Sequence, residues 1–571
     1  MRFLICVGLN PKPMTIELRQ LLHRWVFIPI VVGSAIGLAE AGFVEFYQLV
    51  WAWVRPFIYT PMVFIVVPVG LFAAFFISVR IGRSRPGSTT HDLLNAFHFE
   101  SGKRDARAAL AAPAASAITM GFGGSAGLEG PSLSIGGSVA YRLGDYFGIK
   151  GNDLRVIFLA GAGSALGAVL KAPLTGILFA IEVPYRHDLE HHVFLPAVPM
   201  AVVSYLVYTV FLGQAPIFST FGPTLLPTGY ELLFSILEGF LLGGLALAFI
   251  YVYHAGEKFI PTGLNLKGVA TVAVASVIVA ALGYLNPMSL GVGYSAIKSA
   301  LEAPPKGGLW EYGAASILLL VFLKIITTSA TLDGGGSGGM FIPSVFVGAV
   351  ASIGLMKVFG APFSSALVAS GAAAVVAATN KTPLAAVAFA AEAMTTSAII
   401  PALVAVSIAY ILTGNRGFYS NQLDFSPART HLALLRVSHV ARQFPKSSIR
   451  EIMRPARFKL EPGDGAAKAF SLFSLSGDTA LPVVSPDGKY MGRVELEDLV
   501  ALPHASAADL MVRDAPLNEE ATDEEAVGRV IQSGKGVLFI ASRDGKLMGV
   551  VRTRDLIRFY AGKLASSKHD K

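Results

Sequence analysis

Glu129 is the one charged side chain between Arg107 and Arg142. It stands in Gly123-Gly124-Ser125-Ala126-Gly127-Leu128-Glu129-Gly130-Pro131. Glycines that end on a proline read as a chain break followed by a helix start, because proline's missing N–H costs little in the first turn. A second stretch, Gly338-Gly339-Met340-Phe341-Ile342-Pro343, has the same form. Free N–H groups and the positive end of the helix dipole attract an anion with partial charge only. Inside a membrane a full cation is costly and would hold the anion too tightly to release it. The residue types therefore point to an anion path built from helix starts and hydroxyls. Glu129 has two readings. It caps its own helix, or its carboxylate competes with the anion for the same N–H groups. In the second case protonation releases it, opening the path and carrying a proton.

Such a path needs apolar helices around it. The chain has 571 residues, 53% hydrophobic and 15% charged, against about 25% charged in soluble domains. No Asp, Glu, Lys or Arg occurs between Phe194 and Tyr230, Gly268 and Ile297, or Ala393 and Gly414. A span takes roughly 20 apolar residues. The net charge of +8 fits cations flanking the spans better than nucleic-acid binding. Arg19 and Arg24 precede the first span, and Arg80, Arg83, Arg85, Lys103, Arg104 and Arg107 cluster at segment ends. That bias assigns both termini to the cytoplasmic side of a plasma (inner) membrane. Cys6 is the only cysteine, which excludes an intrachain disulfide and a cysteine metal site. Residues 1–25 read as a cytoplasmic start, with Met14–Trp25 a helix lying at the interface.

The apolar region contains a repeat. Lys171, Pro173, Leu174, Phe179, Ala180 and Glu182 recur as Lys381, Pro383, Leu384, Phe389, Ala390 and Glu392. Gly161 meets Gly371, and Pro131, Ser132 and Gly136 meet Pro343, Ser344 and Gly348. The expectation is an all-α polytopic membrane domain over 26–425, in two inverted halves at about 26–222 and 229–425. Substrate then sits near the midplane on helices broken at Gly121–Gly130 and Gly334–Gly339. A linker at 426–446 leads to a soluble α/β tail. There Asp487-Gly488-Lys489, Met491-Gly492 and Asp498-Leu499 recur as Asp544-Gly545-Lys546, Met548-Gly549 and Asp555-Leu556. Each unit reads strand, turn, strand, helix. The units run from 447 to 502 and from 507 to 562, are opened by Met453 and Met511, and are followed by a tail at 563–571.

Gly127-Leu128-Glu129-Gly130-Pro131 and Gly339-Met340-Phe341-Ile342-Pro343 resemble the GxEGP and GxFxP motifs of the CLC family of chloride channels and chloride/proton antiporters. The resemblance covers about residues 20–425. The tail resembles a pair of cystathionine-β-synthase (CBS) motifs. This implies a homodimer with one pore per subunit, chloride and protons as cargo, and no enzyme activity or resident cofactor. Glu129 is implied as the gate, at the anion-facing helix start with Gly130. Met340 and Phe341 are implied to give N–H groups to the central anion, and Tyr419 its hydroxyl, although Tyr419 also reads as an interfacial anchor. The family's GSGIP motif is degraded here to Gly87-Ser88-Thr89-Thr90-His91. Ser88 matches the central serine, and Thr89 or Thr90 could supply the hydroxyl instead. His91 is a plain helix-start residue or a pH-sensitive group near the inner mouth.

Many family antiporters carry a second acid, directly after the position of Glu182, as the internal proton relay. Here that position is Val183. Glu182 has its own match in Glu392, which favours bonding to helix ends. His187, Asp188, Glu190, His191 and His192 read as a solvated loop or a proton relay. The reading leans to an antiporter over a passive proton-gated channel. The tail could alternatively be a ligand sensor, since CBS pairs can bind adenine nucleotides. Arg552, Thr553 and Asp555, with Asp498 in the other unit, are the candidate residues, and Glu495 would repel phosphate. The sequence offers no convincing nucleophile–base pair, metal cluster or P-loop.

Overall fold

A computed structural model describes residues 23–218, 227–258, 265–302, 308–425, 447–501, 505–533 and 536–569. Cys6, the linker at 426–446 and all of the interfacial helix before His23 lie outside the described residues. Chain contacts divide the protein into two compact units, up to Asp424 and from Phe425.

The first unit is helical. Its helices are α1 (Ile28–Ile58), α2 (Val63–Phe76), α3 (Thr89–Phe99), α4 (Ala106–Gly121), α5 (Glu129–Tyr146), α6 (Asn152–Val169), α7 (Pro173–Glu182) and α8 (Phe194–Leu212). The second half supplies α9 (Gly229–Glu257), α10 (Leu266–Leu285), α11 (Tyr294–Leu301), α12 (Ala314–Asp333), α13 (Phe341–Val358), α14 (Ser365–Asn380), α15 (Pro383–Phe389) and α16 (Ile399–Thr413). Among the described residues, eight helical segments are long and apolar enough to cross a membrane. The helices α7, α14 and α15 are apolar but too short to cross alone.

The halves pack alike. The helix α1 lies on α8 as α9 lies on α16, and α5 on α6 as α13 on α14. At the last two crossings small residues let backbones touch. A Cβ on Gly136 would strike the carbonyl of Gly161, and one on Gly348 that of Gly371. Both α7 and α15 open on a proline at the first position. Each follows a lysine in left-handed backbone, Lys171 at φ 51° and Lys381 at φ 60°. The chain also turns back identically before α5 and α13, where Gly123 and Gly335 sit at φ 93° and 104°, a region open mainly to glycine.

The two broken loops are tied together crosswise. Ser125 N donates to Thr331 Oγ1 at 3.0 Å, and Ser337 N to Thr119 Oγ1 at 3.0 Å. Ser125 Oγ meets Thr328 Oγ1 at 2.7 Å, and Ser116 Oγ meets Ser337 Oγ at 3.1 Å. Gly127 and Gly339 exchange both backbone hydrogen bonds, at 3.0 and 2.9 Å. A short parallel pairing, β1 (Gly87–Ser88) with β2 (Ser337–Gly338), brings the start of α3 to the same place. Irregular backbone at membrane depth must be satisfied by protein, and these pairs do that.

The second unit holds two like modules. The strands β3 (Ala480–Val484) and β4 (Tyr490–Glu495) form an antiparallel pair, as do β6 (Val537–Ala541) and β7 (Leu547–Arg552). Each pair has an irregularity one residue from the turn side, at Val483/Val484 and Ile540/Ala541. The strand β5 (Leu517–Asn518) pairs parallel to β6. The helices are α17 (Ala466–Ser476), α18 (Leu496–Ala501), α19 (Ala507–Leu510), α20 (Asp523–Ser533) and α21 (Thr553–His569). The modules exchange their openings. Arg454, beside Met453, bridges Val550 of the second pair, and Val512, beside Met511, bridges Arg493 of the first. Met453 packs on Gly549 and Met511 on Gly492, so neither glycine has room for a Cβ.

Candidate anion site

Glu129 is the first residue of α5 and is 1% exposed. Its Oε1 accepts hydrogen bonds from the backbone N–H of Phe341 and, at 3.2 Å, of Ile342, in the first turn of α13. These N–H groups have no partner inside their own helix, so a carboxylate satisfies them. The other oxygen, Oε2, is buried and has no hydrogen-bond partner among the described residues. Gly127 and Gly339 make the cradle: a Cβ on either would fall on the Glu129 carboxyl group. Gly130, next in α5, faces Gly339 and the Thr89 hydroxyl, again without space for a Cβ.

The start of α3 brings hydroxyls to this region. Thr89 Oγ1 donates to Gly338 O at 3.3 Å. Ser88 Oγ is buried with no hydrogen-bond partner among the described residues, and the Thr90 hydroxyl lies against that of Tyr419. An orphaned buried hydroxyl costs free energy, and a bound anion is a natural acceptor for it. The Tyr419 hydroxyl is buried and donates to Asn380 Oδ1 at 2.7 Å. Asn380 ends α14 and is held by Thr379 Oγ1 at 3.0 Å. His91 is half-buried, and its carbonyl accepts from Asn421 at 2.8 Å.

The Phe341 ring is clamped edge-on between Phe179 and Phe389, with centroids 5.8 and 5.1 Å away. These two phenylalanines are repeat partners, so each half supplies one jaw. Glu182 is committed elsewhere. It accepts the N–H groups of Leu384 and Ala385 at the start of α15. Val183 is fully buried, and its carbonyl accepts from Gln422 at 2.9 Å. In the nearby loop, His187 Nε2 meets Asn415 Oδ1 at 2.8 Å, and Glu190 accepts from the Tyr185 hydroxyl.

Sequence reasoning missed three groups. Ile342 shares Glu129 with Phe341. Asn380 orients the Tyr419 hydroxyl. Lys324 is a fully buried cation in α12, donating to Ser289 O at 3.2 Å and Gly291 O at 2.8 Å, over the Phe346 ring. It lies within electrostatic reach of Glu129. Its signal was its isolation, as the one charge between Ala314 and Leu332. A cavity of about 570 Å³ adjoins Leu128, the residue before Glu129, and is walled in part by Tyr47, Tyr208, Tyr294, Arg55 and Lys171. Among the described residues its lining carries cations and no acid, a surface suited to admitting anions.

In the second unit Arg552 is committed to Asp478, donating Nε at 2.6 Å and a terminal nitrogen at 2.7 Å. Asp555 pairs with Arg454 at 3.0 Å. Thr553 Oγ1 donates to Gly536 O at 3.2 Å. Asp498 is half-buried in the other module. The structure therefore places the Arg552 side chain in an ion pair.

The family model described as voltage gated chloride channel matches residues 69–414, and the CBS domain model matches 449–504 and 507–562. An uncharacterized protein of Methanocaldococcus jannaschii is 25% identical over 396 residues, covering 68% of this chain and 93% of that protein. The H(+)/Cl(-) exchange transporter ClcA of Salmonella typhimurium is 26% identical over 364 residues, covering 58% of this chain and 73% of the transporter. A slow cyanobacterial Cl-/H+ antiporter of known structure has the same fold, with a TM-score of 0.60 at 20% identity, covering 68% of this chain and 94% of its own.

Proposed function

Because the chain belongs to the voltage-gated chloride channel (CLC) family, a family of integral multi-pass membrane proteins that move anions, we propose that it exchanges chloride for protons, with Glu129 as the gate. The observation that carries this is the Glu129 carboxylate on the Phe341 and Ile342 N–H groups. An ionised Glu129 and an anion compete for the same donors. Protonation removes the carboxylate's charge and weakens its hold on the N–H groups by the strength of charge-assisted hydrogen bonds, roughly 1.5–3 kcal/mol each. The side chain then leaves with its proton, and chloride takes the helix-start dipoles of α5 and α13. Ser88, whose hydroxyl has no protein acceptor among the described residues, supplies a donor deeper in the path, and Tyr419 and Thr89 join it by releasing Asn380 and Gly338. Anion entry and proton uptake thus become one event.

A passive proton-gated channel is the second reading, and Val183 favours it by removing the acid found there in many exchangers of the family. Purified protein in liposomes distinguishes the two. An antiporter drives protons uphill when given a chloride gradient; a channel does not. Glu129→Gln abolishes proton coupling while chloride still flows. Unchanged pH dependence in that variant would sink the gate assignment. The family resemblance further supports a homodimer with one pore per subunit, and each chain carries its own full set of the residues above. The flanking cations support cytoplasmic termini in a plasma membrane.

A further inference from the structure

With Val183 in the usual place of an acid, a proton bound for Glu129 needs another way in. Asp333 is the last residue of α12 and is 5% exposed. Neither carboxylate oxygen has a hydrogen-bond partner among the described residues. A carboxylate at a helix C-terminus opposes the dipole, and Asp333 also has Glu257 nearby. As a structural element this placement only costs stability. It packs against the backbone of Gly256, where a Cβ would strike its Oδ2. Gly256 lies between His254 and Glu257 on α9.

Those two residues hold a proton between them. His254 Nε2 is 2.9 Å from Gly417 O, which can only accept. That nitrogen therefore carries hydrogen. His254 Nδ1 is 3.0 Å from Glu257 Oε2, and this contact requires one further proton, on the ring or on the acid. Both side chains are about a third exposed, at 32% and 31%, at the C-terminal end of α9. On the buried side Tyr253 lies within electrostatic reach of Asp333, Glu257 and Tyr419. Its ring stands edge-on to Phe418, centroids 5.4 Å apart, next in sequence to Tyr419. Tyr419 is in turn within reach of Glu129.

We propose that Asp333, loaded from the His254–Glu257 pair, is the acid through which protons enter on the way to Glu129. Other charged neighbours include Lys258, next in the chain to Glu257, Arg85, ahead of β1, which is within electrostatic reach of Asp333 and donates to the Glu257 backbone carbonyl at 3.5 Å, and His91 on α3, which faces Glu257, Arg85 and His254. From α10 and α2, Val272, Ala275 and Phe75 lie nearest the adjoining Gly334 and Gly335. Arg85 belongs to the basic cluster with Arg80 and Arg83, which marks this end as cytoplasmic by the positive-inside bias. Each step exchanges one proton between oxygen or nitrogen atoms, and no other bond changes.

The inference rests on the antiporter reading. In liposomes under a chloride gradient, the unmodified protein is expected to pump protons. Asp333→Asn and Glu257→Gln are each expected to lower the protons moved per chloride at least fivefold, and Asp333→Glu to restore them. Glu257, being partly exposed, tolerates replacement if Asp333→Asn fails to assemble. A proton-to-chloride ratio unchanged in Glu257→Gln and in any folded Asp333→Asn overturns the inference and leaves the antiporter standing. An unmodified protein that pumps no protons overturns both.

Discussion

Glu182 and Glu392 cap each other's repeat. Glu182 accepts the N–H groups of Leu384 and Ala385, both at 2.8 Å, at the start of α15. Glu392 accepts those of Leu174 and Thr175, at 3.1 and 2.9 Å, at the start of α7, with the Thr175 hydroxyl at 3.0 Å. Each carboxylate answers two orphan donors at the positive end of the opposite half's helix. The acid that closes each of these segments thus meets the N-terminal start of the other half's helix.

Replacing Glu182 by Ala leaves the buried N–H of Ala385 and the part-buried N–H of Leu384 without an acceptor. Lost hydrogen bonds to a charged group cost about 1.5–3 kcal/mol each, partly recovered by relaxation. The thermal midpoint in detergent is expected to fall by several degrees, with Glu182→Gln between Ala and the unmodified protein. Glu392→Ala should behave alike. A midpoint unmoved by either change contradicts the capping role.

Gly127 tests the closed position of Glu129. A Cβ there meets the end of the Glu129 side chain rather than backbone, so the carboxyl group can swing away at little cost to the fold. Gly127→Ala is expected to raise chloride flux at pH 7.5 at least threefold, toward its value at pH 4.5. Identical pH profiles for Gly127→Ala and the unmodified protein would show that this position does not close the path.

Much of this architecture was legible because it follows local rules. Glycines and prolines mark where α5, α7, α13 and α15 begin, and apolar length marks the spans. The repeat was legible through residues that serve the same site from both halves, such as Phe179 and Phe389 on either side of Phe341. Other parts depend on distant partners. Asn380 looks like an ordinary helix end until Tyr419 arrives from the far side of α16. The pairing of Asp333 with Gly256 joins two helices whose closeness no local pattern encodes. The exchange of openings between the tail modules was equally hidden, because Met453 and Met511 look like the starts of their own units.

Arg552 makes the nucleotide question answerable. The Asp478 carboxylate beside it holds its guanidinium charged, raising its already high proton affinity. The same pairing occupies the donors a phosphate would use. Asp478→Asn removes the competing charge while keeping the shape. If the tail binds adenine nucleotide through Arg552, calorimetry on the full-length variant in detergent should show ATP binding at least tenfold tighter than in the unmodified protein, a gain of about 1.4 kcal/mol. Equal heats for both proteins would place any nucleotide elsewhere or nowhere.

Lys324 is the sharpest remaining test of the site's electrostatics. A buried lysine held by the carbonyls of Ser289 and Gly291 lends positive potential to Glu129 and so favours its ionised form. Lys324→Met keeps the length of the side chain and removes the charge. Glu129 then accepts a proton at lower acidity, and the pH of half-maximal chloride flux should rise by about one unit, the lower end of the effect of a close opposite charge. Lys324→Arg keeps the charge and should hold the midpoint near its original value. The pair of variants separates charge from packing. A shift in both, or in neither, would mean that Lys324 supports the Ser289–Gly291 turn without setting the proton affinity of the gate.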